Sequence, residues 1–444
     1  LSQPALLIGI MSCIGLIALK RPFHKVMTGT LKPILGYLML AAGAGVIVNN
    51  LDPLGKMIEH GFHITGVVPN NEAIVAVAQK VLGVETMSIL VVGLLMNLCI
   101  ARFTKFKYVF LTGHHSLFMA CLMSAVLGTA GLSGMELILV GGFLMGAWSA
   151  ISPAIGQSYT SKVTDGDEIA IGHFGSLGYY LSAWVAKYVG KADDSTEDIE
   201  IPEKWGFLRD STLSTALTMI VFYLIAAFAA GSEFVATLSG DMSPYLYAVM
   251  SAMNFAVGVT IVYSGVRMIL GDLIPAFQGI ATKIIPNAIP AVDCAVFFTY
   301  APTAVVLGFI SSFIGGIIGM LILGAVGGVL IIPGLVPHFF CGATAGIYGN
   351  ATGGRRGAAV GAFLNGLAIT FLPAMALPVL GQLGFQNTTF GDADFAVMGL
   401  VLGNAYEWVG MAGIYGIVAI AALVLIIPNF IKTKGKVINY VEED

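Results

Sequence analysis

Charge is what this sequence has least of. Only 10% of its 444 residues are Asp, Glu, Lys or Arg, against about a quarter in ordinary soluble domains. That deficit excludes a conventional water-soluble domain, and a mean hydropathy of +0.89 agrees. Paired cysteines are also missing. Cys13, Cys99, Cys121, Cys294 and Cys341 are scattered, with no CxxC and no metal-ligand spacing, so no disulfide framework and no metal site is implied. With a net charge of −4 there is no basic domain to hold nucleic acid. Walker A, GxSxG and HExxH sequences are absent, which removes the familiar signatures of ATP-driven and hydrolytic chemistry. The glycines of "GGRRGAAVGAFLNG" have loop spacing but no phosphate-loop lysine. No catalytic residue and no cofactor are expected. The start, "LSQPALLIGI", has neither a basic leader nor an initiator Met, so a trimmed terminus without a cleavable signal is expected.

What is present is apolar sequence in long runs. Thr212 to Ala230, Ala304 to Ile332 and Ala412 to Phe430 each reach the roughly 20 residues that cross a bilayer core. The reading is an all-α polytopic membrane protein, embedded in a lipid bilayer as one transport unit over 1–444. Its 56 glycines suit close helix packing and broken helices at membrane depth. Basic clusters follow the first and third apolar runs ("LKRPFHK", "ARFTKFK") and the last ("IKTKGK"). They place the N-terminus outside, on the periplasmic side, and the C-terminus in the cytoplasm. An odd number of crossings is required, and eleven is the consistent count. The only long hydrophilic segment is "KYVGKADDSTEDIEIPEKWGFLR", 187–209, which reads as a loop.

The two halves resemble each other weakly. Segment 6–22 answers 256–272, 29–45 answers 279–295, and "TDGDEIAIGHFG" (164–175) answers "TGGRRGAAVGAFLNG" (352–366). Repeat one would cover about 1–210 and repeat two about 245–405, with a last span at about 411–430. Five spans between the starts would invert the second copy, an arrangement that in transporters places substrate near the midplane between discontinuous helices. The acidic run then forms the mouth of a re-entrant hairpin, with Asp165, Asp167 and Glu168 outermost and His173 toward the tip. An ordinary solvated loop is the alternative for the three acids.

Ionisable groups at membrane depth are costly and usually face a pathway. The candidates are His114 and His115 in "FLTGHHSLF", His173 in "IAIGHFG", and Asp293 in the neutral stretch "IPAVDCAVFF". Asn70, Asn71 and Glu72 open a weakly apolar helix in "VVPNNEA". Each has a plainer reading: a packed histidine bonded to carbonyls, or an asparagine N-cap. Asp293 is hardest to explain away, because a lone carboxylate there is penalised by several kcal/mol. Together these groups suit directional hydrogen bonds to a polyhydroxylated solute, and helix N-termini would favour an anionic one.

"LTGHHSLF", "VTDGDEIAIGH", "AIPAVDCAVFFTYAP" and "LIIPGLVPHFF", in this order, resemble the membrane IIC component of the bacterial phosphotransferase system, specifically its L-ascorbate family. The resemblance covers essentially the whole chain. It implies a homodimer in the bacterial inner membrane, each protomer a core domain plus a V-motif domain, with elevator-like movement of the core. It further implies phosphorylation of the sugar by a separate IIB phosphocysteine protein, recharged through IIA. No IIA or IIB domain is expected here, since the chain ends soon after its last span. The family's sugar-binding positions correspond to His114, His173 and Asp293, with contacts from "AGAG" (Gly43, Ala44) and from Asn71 and Glu72. Two positions depart from the pattern: Phe118 and Phe174 stand where the family has glutamine. Aromatic faces stack on a ring but do not read hydroxyls, so the substrate is left as L-ascorbate or a related sugar acid or polyol. The competing reading is an H⁺- or Na⁺-coupled transporter of a small organic anion, with Asp293 and His173 as a proton relay. It would accumulate unmodified solute and fail with the ion gradient.

Overall fold

In lipid every backbone N–H and C=O must be paired within the protein, which leaves helices as the default. The computed structural model describes residues 4–63, 66–69, 71–166, 168–199, 211–381 and 388–431. The first half holds α1 (Pro4–Ala18), α2 (Phe23–Gly61), β1 (Val68–Pro69), α3 (Asn71–Phe103), β2 (Tyr108–Phe110), α4 (Gly113–Thr129), α5 (Gly134–Thr164), β3 (Ala170–Ile171) and α6 (Ser176–Val189). The second holds α7 (Ser211–Ala230), α8 (Ser232–Ser239), α9 (Pro244–Lys283), β4 (Ile289–Val292) and a 3-10 turn (Cys294–Thr299). It continues through α10 (Pro302–Ala325), α11 (Leu335–Gly381), β5 (Thr388–Thr389), α12 (Ala393–Val409) and α13 (Met411–Ile426). The protein is an all-α polytopic membrane protein.

Among the described residues, seven helices are long and apolar enough to cross a membrane, or eight if the pair α7–α8, bent by 117°, is one span. Length and composition alone thus stop short of eleven crossings, for two reasons. α1, α4, α6 and α12 have 15, 17, 14 and 17 residues, less than a full span. α11, with 47 residues, counts once although it doubles back. Its break lies at Gly353 and Gly354, the latter at φ +59°, a region open chiefly to glycine. A Cβ on Gly349 would lie 2.4 Å from the Gly357 carbonyl oxygen, whereas eight residues of continuous helix rise about 12 Å. The two arms clasp α10, with Gly308 against Gly342 and Gly346 and with Gly315 against Phe363 and Gly366.

The short strands decide the architecture. β4 lies between β2 and β3, parallel to both, with Phe110 opposite Ala291 and Ile171 opposite Val292. β1 pairs in parallel with β5, and the adjoining Val67 bridges in parallel to Ile331. Each half therefore lends one strand to the other half's pair of strands, and the crossing satisfies extended backbone within the protein. The order of elements matches α2 with α9 and β3–α6 with β5–α12. This differs from the pairing of 164–175 with 352–366 expected above, because 352–366 is the fold-back of α11.

Helices α1, α2, α7 and α9 pack together as one layer. At its centre α2 crosses α9 on glycines: a Cβ on Gly36 would stand 2.8 Å from the Gly265 oxygen, and one on Gly43 2.7 Å from the Gly258 oxygen. Small residues let backbones approach this closely. The remaining long helices pack around the strands through α3–α5, α6–α11 and α10–α11 contacts.

Candidate substrate site at the strand ends

Each strand of the first sheet runs directly into polar sequence and then into a helical N-terminus. Thr112, His114 and His115 follow β2, Asp293 and Cys294 follow β4, and His173 follows β3. The parallel register brings these ends side by side. The Gly172 N–H donates to the Val292 carbonyl at 2.7 Å and the Leu111 N–H to the Ala291 carbonyl at 2.9 Å. The second sheet repeats the scheme, with Asn71 after β1 and Gly391, Asp392 and Asp394 after β5. Helix N-termini carry positive partial charge, so the meeting point of these ends favours anionic groups.

His114 Nε2 lies 3.4 Å from Asp293 Oδ2, and its Nδ1 lies 3.2 Å from the Tyr37 hydroxyl. Asp293 caps the following 3-10 turn, accepting from the Ala295 N–H at 3.1 Å. His115 and His173 are both 3% exposed, with ring centroids 3.7 Å apart. His173 Nδ1 accepts from the Gly175 N–H at 3.1 Å and is 2.8 Å from the Tyr179 hydroxyl. His115 Nδ1 accepts from the Phe174 N–H at 3.3 Å. Because backbone amides only donate, Nδ1 of both rings carries no proton and Nε2 carries it. His173 thus presents an N–H donor.

Asp392 joins the same centre. It accepts from the Asn71 side-chain amide at 2.6 Å and from the Cys341 thiol at 2.6 Å, while the Gly391 N–H donates to Asn71 Oδ1 at 2.9 Å. Asp394 is wholly buried and takes three donors: the Trp148 indole at 3.2 Å, the Ser176 hydroxyl at 2.8 Å and the Leu177 N–H at 2.9 Å. Two sets, His173–Asp293–Cys294 and His173–Cys341–Asp392, have ligand atoms within 4.8 Å of one another. Such donors suit a divalent cation. His173, Asp293, Cys341 and Asp392 each also have a protein hydrogen-bond partner.

The structure brings His114, His173, Asp293 and Asn71 into one centre. Gly43 lies apart from it, facing α9 at the helix crossing, and Ala44 is half-buried one residue on. Asp165 and Glu168 are exposed where α5 ends, Asp165 being its C-cap at φ +52°. Glu168 faces Tyr300, whose phenol is pushed up by burial and then by that carboxylate. Asp167 and Asn70 lie outside the described residues, as does the Glu72 side chain.

Phe174 is fully buried, stacked on Phe110 at 4.6 Å and edge-on to Phe395 at 5.7 Å. Phe118 is 7% exposed and packs on Phe395 and both histidines of α4. Both rings pack against His115. Tyr37, Thr112, Tyr179, Cys341, Asp392 and Asp394 were missed in the sequence. For the two aspartates the signal was present: "TFGDADFAVMG" places two carboxylates at a helix start in an apolar stretch.

The polar centre lies among helices long and apolar enough to cross a membrane, where ionisable groups usually face a solute pathway. The chain belongs to the family of PTS system sugar-specific permease components, which it matches over residues 1–394. It is also similar to an ascorbate-specific PTS system EIIC component of Mycoplasma pneumoniae, at 27% identity over 469 aligned positions, covering 92% of this chain and 70% of that protein.

Proposed function

We propose that this permease carries L-ascorbate, or a closely related sugar acid, and hands it to a separate IIB protein for phosphorylation. The observation that carries the reading is the convergence of His114, His173, Asp293 and Asp392 at helix N-termini. Imidazoles and carboxylates read hydroxyls, and the helix ends favour the enolate charge of such a sugar acid. The ascorbate assignment draws further support from the Mycoplasma relative. Phe118 and Phe174 do not oppose it, because both pack behind the centre. The α1–α2–α7–α9 layer serves as the V-motif scaffold of a homodimer, and the strand-bearing remainder is the moving core. The N-terminus is periplasmic and the C-terminus cytoplasmic, with Asp165 and Glu168 on the face offered to IIB.

The test is binding of radiolabelled L-ascorbate to purified protein, beside pentitols, hexitols and other sugar acids, followed by uptake into vesicles with and without a IIB–IIA cascade. Micromolar ascorbate binding and phosphorylated product insensitive to an uncoupler support the proposal. Accumulation of unmodified solute that collapses with the proton gradient would establish the coupled-transporter reading instead.

A further inference from the structure

Tyr37 belongs to the α1–α2–α7–α9 layer, yet its hydroxyl reaches His114 of the polar centre. A carboxylate oxygen only accepts, so in its neutral form His114 keeps its proton on Nε2, toward Asp293, and leaves Nδ1 as an acceptor. The Tyr37 O–H therefore donates to Nδ1 and fills the acceptor that a sugar hydroxyl would use. Beside this contact lies a cavity of ≈ 10 Å³, space for about one water. Ile8, Tyr37 and Ile269 close it from the layer, and Thr112, Asp293 and Val296 from the opposite side. A sugar does not fit there in this state.

A second observation marks the same spot. Thr112 is 1% exposed, and its hydroxyl has no hydrogen-bond partner among the described residues. A buried hydroxyl without a partner is costly, and this one lines the cavity next to Asp293. Tyr37 thus lines the cavity while its hydroxyl caps His114, and the Thr112 hydroxyl in the same wall is left open.

We propose that Tyr37 is a latch that holds the empty site shut by standing in for a substrate hydroxyl on His114, and that Thr112 gains its missing partner when a polyhydroxylated solute displaces the latch. The inference rests on the assignment of His114 and Asp293 as substrate-binding residues. It fixes the sign of a mutation. The apparent affinity of a ligand falls with the fraction of protein in the binding-competent state. Removing one hydrogen bond from the shut state shifts that fraction by about fivefold. Tyr37→Phe should therefore bind sugar up to about fivefold more tightly than the wild type, and Thr112→Val about fivefold more weakly.

The experiment measures L-ascorbate binding, with the same sugar-acid and polyol panel, to wild type, Tyr37→Phe, Thr112→Val and Asp293→Asn. Maleimide labelling of Cys294, buried beside Asp293, is followed in parallel by peptide mass spectrometry without ligand. Tighter binding and faster Cys294 labelling in Tyr37→Phe support the latch, and Tyr37→Leu gives the same sign should the Phe variant not fold. Weaker binding in Tyr37→Phe makes Tyr37 a ligand and overturns the proposal, as do unchanged affinity and labelling. Asp293→Asn separates the two levels. If it binds normally, the site assignment itself fails; if it loses binding while Tyr37→Phe is not tighter, only the latch fails.

Discussion

Asn71 donates to Asp392 at 2.6 Å, across 321 positions of sequence. One residue follows β1 and the other follows β5, strands that pair in parallel. The bond therefore ties the start of a first-half helix to the turn that opens a second-half one. It holds Asp392 where Cys341 and His173 also meet it.

Replacing Asp293 by Asn removes the charge facing His114 while an amide oxygen still accepts from the Ala295 N–H. The fold should persist and sugar affinity should drop at least about tenfold, in the range of a lost hydrogen bond to a charged group. Isothermal titration beside a size-exclusion profile checks both halves. Unchanged affinity removes Asp293 from the site.

Asp394 tests structure rather than binding. Asp394→Ala strands the Trp148, Ser176 and Leu177 donors in a buried place, at about 1–3 kcal/mol for each group left without a partner. Trp148→Phe removes a single donor and should cost about 1 kcal/mol. Thermal melts in detergent should rank the alanine variant well below the indole variant. Equal melting temperatures would show that these bonds do not hold α12 to α6.

A glutamine in place of Phe174 should not add a sugar contact. Phe174→Gln puts an amide among Phe110, His115 and Phe395, where unmade hydrogen bonds are costly. A lower melting temperature with no gain in ascorbate affinity is expected. Tighter ascorbate binding with an intact melt would mean the position faces the substrate after all.

The acidic turn separates binding from coupling. Asp165 adopts a left-handed conformation that Asn also tolerates, so Asp165→Asn changes charge without straining the turn. Binding of L-ascorbate should be unaffected, and uptake with a IIB–IIA cascade should slow. Wild-type uptake in this variant would return the run to a plain solvated loop.

Glycine spacing on α2 predicts a local contrast. Gly36→Ala drives a Cβ to within 2.8 Å of the Gly265 oxygen, while Gly45 has nothing within 4 Å among the described residues. The first substitution should destabilise by about 1–3 kcal/mol, and Gly45→Ala should be near neutral. Comparable melting temperatures for the two would contradict the crossing.

The long apolar runs by themselves determined the membrane helices, because a stretch of about 20 apolar residues satisfies its own backbone in lipid as a helix. The sequence also exposed Asp293, His114 and His173, since ionisable residues in apolar runs stand out wherever they fall. It left Asp392 and Asp394 unremarked, and it gave no sign that Gly43 packs at a helix crossing. Tertiary structure alone decided the exchange of β1 and β4 between the halves, because pairing of two- to four-residue strands leaves no periodicity to read. That exchange, more than any motif, places Asp392 from one end of the chain beside Asn71 from the other. It also decided which side of His114 meets Tyr37, a contact between two packed layers that no local spacing encodes.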